Sequence, residues 1–226
     1  MSVLIFSCGR TGTNMLLEVL RGSSILRATV EHEDKCVFRL CRDLPHDYLS
    51  KCDTVYVDSE EQVSALLNKN PDLKILWTIR DLRDTALSKI YRGQPGNDHP
   101  TICDDATLEG CIEDLAWMTK LYRHIKENFS SRIKLVKMED VILDFDSTIL
   151  DICNFCGIQF EDGMRNFISR YRNSFKAQRY KTLDKSQVEL YKRVHEIYNG
   201  FFQTHPIDLE ELFSQLQIYL DEFNYQ

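Results

Sequence analysis

The sequence predicts a three-layer α/β/α domain with a central, mainly parallel sheet and a helical C-terminal third. Short segments rich in apolar and β-branched residues alternate with helical patterns through the first part of the chain, as in βαβ units. From about residue 147 onward, only helical patterns follow. The 226 residues suffice for one sizeable core and require no second one, so we expect a single domain over residues 1–226.

Four segments have the length and composition of strands and are bounded by polar residues. They are Val3–Ser7, Thr54–Asp58, Lys74–Ile79 and Ile133–Met138. Two further segments have a weaker strand pattern, namely Arg27–Val30 and Cys36–Leu40.

Helical patterns lie between and after these strands. Ser59 is a typical N-cap followed by acidic residues, and the Asn70-Pro71 pair ends the same helix. A loop with two glycines and two prolines, Arg92–Pro100, is a candidate lid over a site. The predicted helices are Thr13–Arg21, Ser59–Asn70, Leu82–Arg92, Thr107–Phe129, Ser147–Cys156, Asp162–Tyr171, Ser186–Phe201 and Asp208–Phe223.

The composition argues against several classes of protein. A net charge of −7 disfavours a broad nucleic-acid-binding surface. No segment reaches the ~18–20 apolar residues of a membrane span, and the apolar N-terminus lacks the basic start of a signal peptide. We interpret the eight scattered cysteines as reduced thiols of a cytoplasmic protein. The Cys153-x-x-Cys156 pair lacks a partner pair, which favours core packing and predicts no metal site.

The first predicted strand runs into a glycine-containing loop and then into a helix. Glycines let such a loop close around an oxyanion, and the first helical N–H groups point at it. Threonine hydroxyls add donors, and a planar guanidinium matches a phosphate or sulfate. The segment therefore predicts a cradle for a nucleotide phosphate or phosphosulfate, against the simpler alternative of a turn with an incidental arginine. Its residues are Gly9, Arg10, Thr11, Gly12, Thr13 and Asn14.

The spacing within this loop disfavours ATP as the ligand. An ATP-binding loop reads G-x-x-x-x-G-K-[ST], with a lysine for the phosphates and a hydroxyl for magnesium. Here only two residues separate Gly9 from Gly12, and no lysine follows. A P-loop nucleotide kinase is therefore the less favoured enzyme.

A second candidate phosphate anchor follows the predicted strand Lys74–Ile79. Arg80 and Asp81 come at its carboxyl end, where open α/β sheets bind ligands. Ser88 lies two helical turns into the helix that follows. Two anchors on neighbouring strands suit a ligand with two separated phosphates.

These motifs together resemble the sulfotransferases that use 3′-phosphoadenosine 5′-phosphosulfate (PAPS). The Arg10–Thr13 segment is similar to their 5′-phosphosulfate loop, in the arginine form of carbohydrate sulfotransferases, and Ile79–Tyr91 is similar to their 3′-phosphate motif. Lys137–Ile158 and, more weakly, Arg179–Leu183 follow in the family's order. Two departures, Leu82 for the usual proline and Met138 for the common tyrosine, remove no contacting group.

The resemblance implies a P-loop NTPase-like fold and sulfuryl transfer from PAPS to an acceptor hydroxyl, with 3′,5′-bisphosphoadenosine (PAP) as product and no metal. It assigns the 5′-phosphosulfate to the loop 9–14, with Arg10 stabilising the leaving 5′-phosphate, and the 3′-phosphate to Arg80 and Ser88. The acceptor would be a carbohydrate or small metabolite. A non-catalytic nucleotide-binding protein is an alternative, and the oligomeric state stays open.

An acceptor hydroxyl needs a base within hydrogen-bond reach. Carbohydrate-type members use a glutamate soon after the first helix, which makes Glu31 the first choice here, followed by His32 and Glu33. The simpler interpretation of this stretch is a solvated acidic turn. His46 and Asp58 are outside candidates.

Overall fold

The computed structural model describes residues 1–93, 107–167 and 209–225. Within them, five strands form one sheet in the order β2-β3-β1-β4-β5, and every neighbouring pair is parallel. The prediction of a mainly parallel α/β sheet is therefore confirmed. The strands are β1 Ser2–Ser7, β2 Arg27–Glu33, β3 Tyr48–Asp53, β4 Leu73–Ile79 and β5 Ile133–Lys137.

The helices of the described residues connect and cover these strands. Short 3₁₀ turns at Thr54–Tyr56 and Ser130–Arg132 complete the elements. The helices are α1 Thr13–Leu20, α2 Val37–Leu40, α3 Glu60–Lys69, α4 Leu82–Gly93, α5 Leu108–Asn128, α6 Met138–Leu143, α7 Phe145–Cys156, α8 Asp162–Arg165 and α9 Leu209–Glu222.

Strand β1 lies at the centre and is buried on both faces. Leu4 and Phe6 join the core under α3, α4, α5 and α9, whereas Val3 and Ile5 join the core under α1, α7 and α8. This alternation is that of a strand between two helical layers. It produces the predicted three-layer arrangement and leaves the strand ends to carry polar side chains.

Two predicted strands are wrong. The third strand of the chain is Tyr48–Asp53, and the predicted strand Thr54–Asp58 begins instead with a 3₁₀ turn, where Asp53 accepts a hydrogen bond from the Val55 amide at 3.3 Å. Polar residues hid the true strand: Ser50 is fully buried and its hydroxyl lies 2.9 Å from that of Thr29 on β2.

The second error concerns Cys36–Leu40, which forms the single helical turn α2. Asp34 accepts a hydrogen bond from the Cys36 amide and thereby turns the chain out of β2. The weaker prediction Arg27–Val30 is confirmed as β2, which continues through Glu33 with an irregular register against β3.

The C-terminal predictions are tested in part. Helices α7 and α9 agree with Ser147–Cys156 and Asp208–Phe223, and α9 packs against α4 and α5. Of the predicted helix Asp162–Tyr171, the structure describes the turn α8. The predicted helix Ser186–Phe201, the stretch Arg179–Leu183 and the candidate lid beyond residue 93 lie outside the described residues. A single domain over residues 1–226 stays a prediction.

Candidate active site

The predicted site residues gather at the carboxyl edge of the sheet. Strand β1 lies between β3 and β4, and Ser7 at its end is in register with Asp53 at the end of β3. Such a position, where connections leave to opposite sides, is where open α/β sheets bind ligands. The loop 9–14 follows β1 and Arg80 follows β4, so the structure brings the two predicted anchors to neighbouring strand ends.

The loop after β1 is held in a tight conformation. Arg10 and Gly12 both have positive φ angles, of 75° and 86°. A Cβ atom at Gly12 would lie 2.5 Å from Cγ of Met138, and one at Gly9 would lie 3.0 Å from Oδ2 of Asp53. Neighbouring side chains therefore close on the loop from two sides, which explains why glycine stands at both positions.

The two threonines and the asparagine of the loop have different environments. The Thr11 hydroxyl is fully buried, donates to the Cys8 carbonyl at 2.9 Å and lies 3.0 Å from the Thr78 hydroxyl on β4. It therefore ties the loop to the sheet and faces away from solvent. Thr13 is the first residue of α1, after Gly12 as N-cap, and Asn14 is exposed. The N-terminus of α1 is thus aimed at the strand-end edge.

Arg10 and Ser88 join the two motifs directly. The Arg10 Nε donates a hydrogen bond to the Ser88 hydroxyl at 2.8 Å, across 78 residues of sequence. A hydroxyl that accepts this bond keeps its own proton for another acceptor. The arginine of the loop and the buried serine of α4 therefore form one polar cluster.

Arg80 is fixed by a carboxylate one helical turn away. Its guanidinium donates to Asp84 at 3.1 Å, and both side chains are about nine-tenths buried. Ser88 lies one further turn along, so Asp84 and Ser88 share one face of α4, just after Arg80. A buried ion pair of this kind holds the guanidinium in one orientation at the strand-end edge.

The turn between β4 and α4 is held from the C-terminal part of the chain. Asp81 caps α4, because its carboxylate accepts from the Arg83 amide at 2.9 Å. The Asp81 amide in turn donates to Glu139 at 2.8 Å, and the other oxygen of Glu139 accepts from the Tyr225 hydroxyl at 2.9 Å. Burial and the neighbouring Glu139 carboxylate raise the pKa of Tyr225, so that it stays a donor.

Sequence reasoning missed Asp53. This carboxylate ends β3 beside the loop, and burial is the main cause that raises its pKa to about 6. Lys89 on α4 lowers the pKa of Asp53 and Asp114 on α5 raises it, and those two residues pair with each other. The signal in the sequence was an acid directly after the Tyr48–Cys52 segment, and the misplaced strand concealed it.

The first candidates for the catalytic base, Glu31, His32 and Glu33, lie on a strand that is not adjacent to β1. The backbone of Glu31 and His32 belongs to β2, the edge strand, with β3 between it and β1. Glu33 is half-buried and pairs with Lys51 at 2.7 Å. His46 lies at the opposite end of the sheet, where it contacts the N-terminal amine at 2.9 Å. Asp58 exchanges hydrogen bonds with Gln62 at the start of α3.

The described residues offer no cluster of three or more His, Cys, Asp or Glu side chains arranged to hold a metal ion. Cys153 and Cys156 are buried in the core beneath α7, as core packing requires. In the same ranges, no helix combines the length and the hydropathy that crossing a bilayer demands.

The sheet order, the loop after the first strand and the helical layers define a P-loop-like α/β fold. A family model described as a sulfotransferase domain matches residues 1–204, and the chain belongs to this family. The family resemblance drawn from the two motifs is thereby confirmed. A search of curated proteins finds no match.

Several solved structures share the fold. The sulfotransferase domain of the curacin biosynthetic pathway superposes with a TM-score of 0.68 at 13% identity, over 100% of this chain and 98% of that one. The sulfotransferase domain of the Synechococcus PCC 7002 olefin synthase gives 0.63 at 14% identity, over 100% and 94%. Mouse sulfotransferase SULT7A1, complexed with PAP, gives 0.55 at 17% identity, over 77% and 68%. At these identities the likeness concerns the fold.

Proposed function

We propose that this sulfotransferase transfers a sulfuryl group from PAPS to a hydroxyl of a carbohydrate or small metabolite. The observation that carries the proposal is the hydrogen bond from Arg10 to Ser88. It joins a loop suited to a 5′-phosphosulfate with a helix suited to a 3′-phosphate, and PAPS is a nucleotide that has both groups. The mouse structure with PAP supports this choice of donor by analogy of fold.

The 5′ end of the donor fits the loop after β1. The tight turn, with positive φ angles at Arg10 and Gly12, suits backbone N–H groups that converge on an anion. The N-terminus of α1 adds a partial positive charge. We therefore assign Gly9, Arg10, Gly12 and the amides up to Asn14 to the phosphosulfate, while the Thr11 hydroxyl maintains the loop.

The 3′ end fits the surface at the start of α4. Arg80 offers a guanidinium whose orientation Asp84 fixes, and Ser88 offers a hydroxyl proton. Sites of this kind bind planar or tetrahedral anions through two geometrically separate donors. ATP lacks a 3′-phosphate, so this surface favours a bisphosphate.

The chain contributes positioning and charge stabilisation to the reaction. PAPS supplies an activated sulfuryl group, whose transfer resembles in-line phosphoryl transfer with a loose transition state. Negative charge then builds on the leaving 5′-phosphate, where Arg10 and the loop amides would stabilise it. A base among Glu31, His32 and Glu33, as the family resemblance implies, stays a prediction.

The location of the protein belongs to the same proposal. The cysteines that the structure describes are all free thiols. Free thiols persist in reducing compartments, which supports a cytoplasmic location.

A thermal-shift comparison tests the choice of donor. We expect PAP to raise the melting temperature in the absence of metal, and ATP with Mg²⁺ to have little effect, because ligands that bind only the folded state stabilise it. Arg80→Ala should remove most of the PAP effect. Arg27→Ala is the matched control, because Arg27 is an exposed arginine that pairs with Asp47 at the opposite end of the sheet. Stabilisation by ATP–Mg²⁺ and not by PAP would contradict the proposal.

A further inference from the structure

We propose that Asp53 is the catalytic base that takes the proton from the acceptor hydroxyl. This inference rests on the proposed function, since it assigns one step of the same transfer. It names a residue outside the set 31–33 that the family resemblance favours.

The position of Asp53 carries the inference. Asp53 is the last residue of β3 and is in register with Ser7 on β1. Ser7 lies two residues before Gly9 in the loop. Its Oδ2 atom lies 3.0 Å from the point that a Cβ of Gly9 would occupy, so the carboxylate lies directly against the loop. The other oxygen, Oδ1, accepts from the Val55 amide at 3.3 Å, which orients the carboxylate.

Asp53 is half-buried, which gives it two properties of a base. The residue keeps some exposure to solvent, and desolvation of its carboxylate raises its proton affinity. Its pKa, about 6, is close to the range that suits proton transfer near neutral pH. A carboxylate with the ordinary pKa of about 4 would be a weaker base.

The groups around Asp53 act on its charge in opposite directions. Lys89 on α4 stabilises the carboxylate, while Asp114 on α5 and Glu33 on β2 oppose it. Three further titratable groups interact with its charge, namely Cys8 just after β1, Cys52 on β3 and Tyr56 in the 3₁₀ turn.

Lys89 and Asp114 are mutually paired, with Lys89 only 4% exposed, so the lysine charge is largely compensated. Lys89 follows Ser88 directly, and α4 therefore supports both the donor surface and the base. We assign Lys89 and Asp114 to positioning and tuning of Asp53.

The acceptor oxygen forms a bond to sulfur while the bond from sulfur to the 5′-phosphate oxygen breaks, and PAP leaves with that electron pair. Asp53 receives the acceptor's proton and later releases it to solvent. The net products are PAP, the sulfate ester and one proton.

The experiment measures PAP formation from PAPS with water as the hydroxyl acceptor, together with PAP affinity by calorimetry. We expect Asp53→Asn to slow PAP formation by about 10²–10⁴-fold without weakening PAP binding. The matched control is Asp47→Asn, an aspartate at the other end of β3 that pairs with Arg27 and should keep the wild-type rate. In ¹³C NMR of aspartate carboxyls, one resonance should titrate near pH 6 and be absent from Asp53→Asn.

The outcomes separate the two proposals. If wild-type protein does not bind PAP, the proposed function fails and this inference fails with it. If PAP binds and PAPS is converted, but Asp53→Asn keeps the wild-type rate while Glu31→Gln or His32→Asn loses it, Asp53 is not the base and the donor assignment stands.

A wild-type pH profile covers the case in which Asp53→Asn does not fold. The rate should rise with pH around a midpoint near 6, and Asp114→Asn should move that midpoint to lower pH, because Asp114 raises the pKa of Asp53. A flat profile between about pH 5 and 8 would overturn the inference.

Discussion

Replacing Gly12 with alanine measures how closely the anion-binding loop is packed. Gly12 has a φ of 86°, and a left-handed conformation costs an L-residue about 1–2 kcal/mol. A Cβ would also lie 2.5–2.7 Å from three atoms of the Met138 side chain, which is only 3% exposed. Overpacking of this kind typically costs about 1–3 kcal/mol. Gly12→Ala should therefore lower the free energy of unfolding by about 2–5 kcal/mol.

Gly157 provides a control that separates the two contributions. It also has a positive φ, of 64°, but a Cβ there meets nothing within 4 Å. Gly157→Ala should therefore cost only the conformational share, about 1–2 kcal/mol. The two unfolding energies are measured by urea denaturation.

A Met138→Ala background tests the cause of the difference. If the collision with Met138 is responsible, Gly12→Ala should cost less in that background, since the two mutations then couple. Equal losses for Gly12→Ala and Gly157→Ala in the wild-type background would refute the packing argument. PAP affinity should fall with Gly12→Ala and remain unchanged with Gly157→Ala, which lies after α7.

Three further predictions concern the same edge of the sheet. Burial raises the pKa of Asp53 from 3.8 to about 6, so its contribution to stability is fully present below 3.8 and is lost as pH rises through about 6. At pH 8, the free energy of unfolding of Asp53→Asn should therefore exceed that of wild type by up to about 3 kcal/mol, whereas at pH 4 the two should be equal. Equal values at pH 8 would contradict this. Ser88→Ala should weaken PAP binding about 10-fold or more in calorimetry, because it removes the hydroxyl that Arg10 contacts; unchanged affinity would exclude Ser88 from the site. Tyr225→Phe should lower the free energy of unfolding in urea by about 1–2 kcal/mol, because Glu139 loses a donor; an unchanged midpoint would show that the contact contributes nothing.

Local patterns were sufficient to predict much of this fold. The apolar run of β1 followed by Gly9 and Gly12, and the Arg80-Asp81 pair after β4, each form a short and recognisable pattern in the sequence. The predictions at these two places agree with the structure to within a few residues. Helices with a recognisable cap or stop, such as the one after Ser59, also agree.

Contacts between distant residues explain what the sequence did not reveal. Strand β3 carries Ser50 and Lys51, whose polarity is satisfied by Thr29 and Glu33 on the neighbouring strand, so its pattern does not read as a buried strand. Misplacing β3 by a few residues hid Asp53 at its end.

The inward orientation of the Thr11 hydroxyl likewise depends on a distant residue, Thr78 on β4. The hydrogen bond from Tyr225 to Glu139 spans 86 residues. No local pattern in the sequence encodes either contact.

Turnover of ³⁵S-labelled PAPS by wild type and Arg10→Ala tests the central claim most directly. Water, simple phenols and sugars serve as acceptors, and PAP formation and labelled product are measured together. We predict that wild type converts PAPS to PAP and that Arg10→Ala, folded to the same extent by circular dichroism, is about 10²–10³-fold slower, because the charge on the leaving 5′-phosphate loses its guanidinium. Near-normal turnover by folded Arg10→Ala, or no conversion of PAPS by wild type, would contradict the claim.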